Sequence, residues 1–434
     1  MNKNNYKFKS KISKYFIDYL KKKNIDYCYL GDHTNFPEKI HSDVDIFIDF
    51  KVSKELKKIL YDFLKNKNLN IVNFIQHEFN SFTVVLSQRV NDSFEFIAFD
   101  ICNEYVINSR KILSFQKIKK NILTKKKFSF KILPNEYEFL YYLIKKIYKN
   151  DVNKKTFLYL SKVFKSLKNA NELHLISKKH YIILKKIFTS NKMHLFNKHR
   201  NYFKKKLVDS KKFLLIEELK RYCLRLGNKT GFHVVLLGVD GTGKTSQIDF
   251  LMNSSVMNAF KGCKVYHLFS KPSNNNKTTL LPYQHSNYNS LISLIKISYL
   301  FIRYFYNYFF NLFPKLVSSQ LIINDRYYHD VIIDPSRYRI GYFKKFLNFI
   351  FRLLPEPDLI IILNVKYSSL IKRKNELSLK QIKVSTLRYK NYKKKYKNCY
   401  IINTNKTIEK TNKKIIELIV YNKVLLHKKS LKKG

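Results

Sequence analysis

Gly238-Val239-Asp240-Gly241-Thr242-Gly243-Lys244-Thr245 is the stretch that decides how this chain is read. It follows the apolar run Val234-Val235-Leu236-Leu237 and precedes a helical pattern through Ile248, Phe250, Leu251 and Met252. The spacing is G-x-x-x-x-G-K-[ST], with a strand before it and a helix after it. Polyphosphate is a dense anion, and glycines let the backbone curl so that successive N–H groups point at it. The helix N-terminus adds partial positive charge, Lys244 reaches the outer phosphates, and the Thr245 hydroxyl can ligate Mg2+. Gly238, Asp240, Gly241, Thr242, Gly243, Lys244 and Thr245 are the candidate nucleotide-binding residues.

Working outward, composition bounds what the rest can be. A length of 434 residues is too much for one typical core and implies two or three domains. The formal charge of +53 suggests nucleic acid, but only 12 of the 84 basic residues are arginine, leaving 84 − 12 = 72 lysines spread through every segment. That is a lysine-biased composition rather than a dedicated basic patch. It predicts no specific nucleic-acid partner and only non-specific attraction to anionic surfaces at low salt. Five scattered cysteines without a C-x-x-C pair give neither a disulfide framework nor a zinc site, and point to a reducing cytoplasm. The N-terminus lacks an apolar core of signal-peptide length. Residues 291–313 are long and aromatic, but Lys296, Arg303, Asn307 and Asn311 recur through them, so a partly buried helix is expected and no transmembrane segment.

Three parts follow in order. Residues 1–125 contain an amphipathic helix, a short strand at 27–30 ending in Gly31, and the alternating run Ser42-Asp43-Val44-Asp45-Ile46-Phe47-Ile48-Asp49. Period two puts Asp43 and Asp45 on one face. A further strand, Phe94-Glu95-Phe96-Ile97-Ala98-Phe99, ends in Asp100, and the three acids form a candidate second Mg2+ site. Residues 126–228 read almost wholly helical, with apolar faces at Phe139, Leu140, Leu143, Ile144 and Ile147 and again at Phe157, Leu160, Val163 and Phe164. Residues 229–434 alternate strands and helices after the phosphate loop. Strands are expected at 264–269, 321–324, 358–363 and 400–403, the run at 358–363 so apolar that both of its faces must be covered. The expected fold class is α/β: a C-terminal three-layer parallel sheet, a small α+β N-terminal domain, and a helical middle.

Two family resemblances rest on these residues. The first hundred positions, with Gly31, the D-x-D of Asp43 and Asp45, and Asp100, resemble the nucleotidyltransferase fold related to DNA polymerase beta, although Gly31 is followed by Asp32 where the family has Gly or Ser. The phosphate loop together with Asp325-Arg326-Tyr327 resembles thymidylate kinase, a P-loop NMP-kinase-like fold. The longer strings Asp325-Arg326-Tyr327-Tyr328-His329-Asp330, Asp334-Pro335-Ser336-Arg337-Tyr338-Arg339, Leu354-Pro355-Glu356-Pro357-Asp358 and Arg373-Lys374-Asn375-Glu376 are closer to thymidylate-kinase-like proteins of bacterial surface-polysaccharide clusters. The resemblance implies ATP and Mg2+ as cofactors and Lys244, Asp325, Arg326 and Arg373 as catalytic residues. Asp240 would contact an acceptor hydroxyl, Thr245 and Asp325 would hold Mg2+, Arg326 would grip the acceptor phosphate, and Arg373 with Lys374 would close as a lid. Asn364 stands where the family strand ends in Asp, and Lys271-Pro272 only partly matches the arginine-proline signature.

The resulting expectation is γ-phosphoryl transfer from ATP to a nucleoside monophosphate or related small-molecule phospho-acceptor, with a homodimer open as the assembly. The alternatives are a regulatory ATP-binding protein and a nucleotidyltransferase active through the N-terminal domain.

Overall fold

The computed structural model describes residues 3–40, 42–50, 53–65, 67–91, 93–125, 130–167, 176–267, 286–368, 370, 379–394 and 396–432. The chain forms two compact units. The first comprises Met1–Asn70, Phe74–Ser87 and Ile97–Arg225, and the second Ile71–Asn73, Gln88–Phe96 and Leu226–Gly434.

The first unit opens with α1 (Lys3–Lys22), where Phe8, Ile12, Phe16 and Leu20 recur every fourth residue and are all buried. β1 (Tyr27–Tyr29), β2 (Val44–Ile48), α2 (Ser53–Leu64), β3 (Asn70–Glu78), β4 (Ser81–Val90) and β5 (Ser93–Cys102) follow. Then come the hairpin β6 (Glu104–Ile107) and β7 (Arg110–Ser114), the short α3 (Phe115–Ile118), β8 (Leu123–Lys125) and β9 (Phe130–Ile132). Seven strands form one sheet in the order β3-β4-β5-β2-β1-β9-β8. β2 runs parallel to β5 with Asp45 opposite Asp100. β9 pairs with β1, so the sheet continues past residue 125 into the stretch expected to be helical. A three-residue strand has no periodicity to show in a sequence, and only its pairing reveals it.

Helices α4 (Asn135–Lys149), α5 (Lys154–Lys165), α6 (Lys178–Thr189) and α7 (Met193–Lys204) follow. Asn153 caps α5 by accepting the Thr156 N–H at 2.9 Å, and Ser177 caps α6. Their apolar faces (Phe139, Leu143, Phe157, Leu160, Phe188) join Cys28, Leu30 and Phe47 of the sheet region in one core. The helical middle therefore shares a core with the sheet, as amphipathic helices must bury their apolar faces against another element. α8 (Leu215–Gly227) leads to the second unit.

The second unit is a five-stranded sheet, every pair parallel. Its strands are β10 (Phe232–Leu237), β11 (Cys263–His267), β12 (Leu321–Asp325), β13 (Leu359–Asn364) and β14 (Cys399–Asn403), ordered β11-β12-β10-β13-β14. All six residues of β10 are buried, as a central strand covered on both faces requires. Its helices are α9 (Lys244–Met252), α10 (Ser290–Tyr306), α11 (Phe313–Val317), α12 (Tyr328–Ile333), α13 (Lys344–Phe351), α14 (Leu379–Lys393) and α15 (Ile408–Lys432).

The long aromatic helix expected at 291–313 is α10, a π-helical stretch at Asn307–Leu312, then α11. Ile297, Leu300, Tyr304 and Tyr308 face the core, while Leu291, Ile302 and Phe310 are 67%, 64% and 65% exposed. Among the described residues no helix is long and apolar enough to cross a membrane. Because the strands are parallel, their C-terminal ends share one edge, where open α/β sheets bind ligands.

Candidate functional site

That edge carries the phosphate loop. Gly238, Gly241 and Gly243 have φ of 145°, 84° and 86°, a region that L side chains rarely adopt. A Cβ on Gly238 would lie 2.6 Å from the Leu363 carbonyl oxygen, so the loop closes against the end of β13. Thr242 Oγ1 donates to the Val239 carbonyl at 2.8 Å. Lys244 opens α9, is 7% exposed, and donates through Nζ to the carbonyls of Gly238 at 3.0 Å and Val239 at 3.2 Å. Burial, then the nearby Arg326 cation, pushes the Lys244 ammonium down to about 8 despite Asp240, Asp325 and Asp330. A buried ammonium whose hydrogen bonds go to neutral carbonyls can exchange them for an anion.

Register places β12 beside the loop, with Asp325 opposite Leu236. Arg326 then turns sharply, with φ of 68° and its N–H on the Leu236 carbonyl at 2.9 Å. Its guanidinium donates to Asp240 Oδ1 and, at 2.7 Å, to Asp330 Oδ2. Arg337 donates to Asp240 Oδ2 at 2.5 Å. Asp330 is fully buried and also accepts from the hydroxyls of Tyr338, at 2.7 Å, and Tyr389. Burial alone would raise the Asp240 carboxyl, but Arg326, Arg337 and Lys244 hold it far below the usual carboxylate range. Asp330 is likewise drawn down to about 2: burial opposes, and Arg326 and Arg337 prevail with the two tyrosine hydroxyls. Two guanidiniums thus converge on one carboxylate beside the loop, a geometry that two oxygens of a phosphate can also satisfy.

Asp325 Oδ2 lies 3.3 Å from His267 Nδ1, while Oδ1 is buried without a hydrogen-bond partner. An orphaned carboxylate oxygen at the strand end, with the exposed Thr245 at the start of α9, fits a Mg2+ ion that takes its other oxygens from phosphate and water. Among the described residues no group of three or more His, Cys, Asp or Glu could hold a metal by itself. Arg373, Lys374, Lys271 and Pro272 lie outside the described residues. Asn364 is in register with Asn403, and its carbonyl accepts from Thr404.

The structure places Asp240, Lys244, Asp325 and Arg326, four residues of the sequence reading, at this one edge. That reading gave no role to Arg337, Asp330, Tyr338, Tyr389 and His267. Arg337, Asp330 and Tyr338 stand inside strings already singled out; Tyr389 sits on α14 with nothing local to mark it.

In the first unit Asp45 and Asp100 are direct neighbours, yet each already has a partner. Lys145 Nζ donates to Asp45 at 2.5 Å and to the Tyr141 hydroxyl at 2.9 Å. Thr83 donates to Asp100 at 2.6 Å. Asp43 is exposed at the approach to β2, yet the protein packed about it, followed by the Asp100 and Asp45 charges, pushes its carboxyl up to about 6. An ammonium therefore occupies Asp45 where the second Mg2+ site was expected.

Comparison with known proteins gives residues 237–419 as a match to the family model described as thymidylate kinase. At family level such a domain is an ATP-dependent nucleotide kinase. No curated protein matches the chain. Similar solved structures include the thymidylate kinase of Ehrlichia chaffeensis, 17% identical, with 44% of this chain and 98% of that chain covered at a TM-score of 0.33. The thymidylate kinase of Candida albicans is 21% identical, with 45% and 93% covered at a TM-score of 0.34.

Proposed function

We propose that the protein is an ATP-dependent phosphotransferase that moves the γ-phosphoryl of ATP to a nucleoside monophosphate or a related small phospho-acceptor. The longer sequence strings favour surface-polysaccharide biosynthesis as its setting. The observation that carries the reading is the pairing of Arg326 and Arg337 on Asp240, within 3.8 Å of the Lys244 ammonium.

The roles follow from charge and position. The phosphate-loop amides and Lys244 hold the donor phosphates, and release of Nζ from two backbone carbonyls frees it to do so. An acceptor phosphate takes the place of the Asp240 carboxylate on the two guanidiniums. Asp240, once released, is free to accept from an acceptor hydroxyl. Asp330 and its two tyrosines keep Arg326 aimed while this exchange occurs. Thr245 and Asp325 would hold Mg2+, which would neutralise the donor's charge. Arg373 adds a further cation as the site closes. Catalysis is positioning and charge stabilisation of an in-line transfer, with no covalent enzyme intermediate.

The test is an acceptor screen reading ADP release from full-length protein. ADP formation that depends on one acceptor and disappears in Lys244→Ala supports the reading. Tight ATP binding with slow, acceptor-independent hydrolysis would instead identify a regulatory ATP-binding protein. Nucleotide transfer that is lost in Asp43→Ala would place activity in the first unit; the Lys145–Asp45 ion pair weighs against that outcome.

A further inference from the structure

The first unit contains a cavity of about 250 Å3 that the kinase reading does not use. It opens among the loop after β1, the approach to β2, and the facing sides of α4 and α5. Ordinary small-molecule pockets run from about 300 to 1,000 Å3, so this one suits a single ring rather than a nucleoside triphosphate.

Its chemistry is selective. Three of the thirteen lining residues are tyrosines, Tyr29, Tyr142 and Tyr159, against 32 in 434 for the whole chain. Two are lysines, no denser than 72 in 434, so the cavity shares the chain's general basicity and adds nothing to it. Tyr142 and Tyr159 meet edge to face at 5.0 Å, and Tyr29 stacks on Phe36 at 4.1 Å. The Tyr159 hydroxyl is tied to Glu138, itself 2% exposed, which fixes the ring. Between these apolar walls stand the Asn35 amide and the Asp43 carboxylate, which forms no ion pair among the described residues. Rigid aromatic faces pack against the C–H face of a saturated ring, and a carboxylate with an amide collects its hydroxyls.

We propose that this cavity binds an uncharged, hydroxyl-rich ring, either a pyranoside or the sugar of a nucleoside, without a metal ion. Metal-free binding follows from the neighbouring acids: Lys145 holds Asp45 and Thr83 holds Asp100. The ligand is held through stacking and direct hydrogen bonds, by residues of the first unit alone, whereas the phosphate-loop residues belong to the second.

The test is saturation-transfer NMR on the full chain in EDTA with methyl β-D-glucopyranoside, N-acetylglucosamine, uridine and, as an acyclic control, glycerol. The expected result is saturable binding of at least one ring compound and none of glycerol. Asp43→Asn and Tyr142→Leu should each weaken binding about tenfold or more, the loss expected for one good contact. A glycoside preference assigns a sugar, a uridine preference a nucleoside. Circular dichroism checks folding, and should Tyr142→Leu unfold, Asp43→Asn decides alone. No binding at about 20 mM ligand, a requirement for Mg2+, or affinity unchanged in the folded variants would overturn the proposal.

Discussion

Lys244 and Asp240 illustrate how single side chains commit this edge of the sheet to anion chemistry. Lys244 is buried, and among the described residues its hydrogen bonds go to two backbone carbonyls, so its removal should abolish donor binding more than it disturbs the fold. Lys244→Ala is expected to lower ADP formation by about a hundredfold or more, read as initial rate at saturating acceptor. Arg337 is the sharper probe, since the sequence reading gave it no role. Arg337→Ala should raise the KM for the acceptor about tenfold while leaving the KM for ATP nearly unchanged. An equal rise in both constants would remove Arg337 from the acceptor side. The octet at 238–245 and the pair 325–326 were legible in the sequence because their spacing along one turn and one strand end is itself the geometry. Arg337 and Tyr389 reach Asp240 and Asp330 from residues far along the chain, and no local period encodes such a meeting.

At the scale of elements, the parallel sheet was readable from five apolar runs bounded by turns, and each expected strand is present within a residue or two over the described residues. What escaped was β3, β4, β8 and β9 of the first sheet, and the β6–β7 hairpin. β9 is three residues long, and so short a strand shows no period. The close approach of the phosphate loop to β13 is an element-level constraint with its own test. Gly238→Ala puts a methyl 2.6 Å from the Leu363 carbonyl at φ of 145°. The strain should cost about 1–3 kcal/mol, seen as a lower denaturant midpoint, and should weaken ATP binding as the loop shifts. Substitutions on the outer face of α10 are expected to behave oppositely. Ile302→Lys, at a position 64% exposed, should change unfolding free energy by no more than about 0.5 kcal/mol.

For the whole molecule, two buried histidines set the acid limit. His233 bonds Asn324 at 3.0 Å, and both ring nitrogens of His329 lack partners while its ring stacks on Tyr328 at 4.0 Å. Burial holds His233 down to about 4 and His329 to about 3, against 6.5 for a free imidazole. The unfolded chain therefore binds more protons than the folded one between pH 6.5 and those values. Stability should be full above pH 6.5 and fall as pH drops through the window, by up to about 1.4 kcal/mol per pH unit for each ring. His329→Phe should make the acid limb of a urea-midpoint profile shallower; an unaltered limb would exonerate the buried imidazoles.

The Asp240 carboxylate has one more consequence. By clasping both guanidiniums when no substrate is present, it gives the receptor an internal counter-ion, and uptake of a phosphate becomes an exchange of one anion for another. Stray buffer anions must then compete with a tethered rival, so a molecule this cationic can stay selective at its working edge. The acceptor's affinity should also vary with ionic strength far less than the protein's overall charge would suggest.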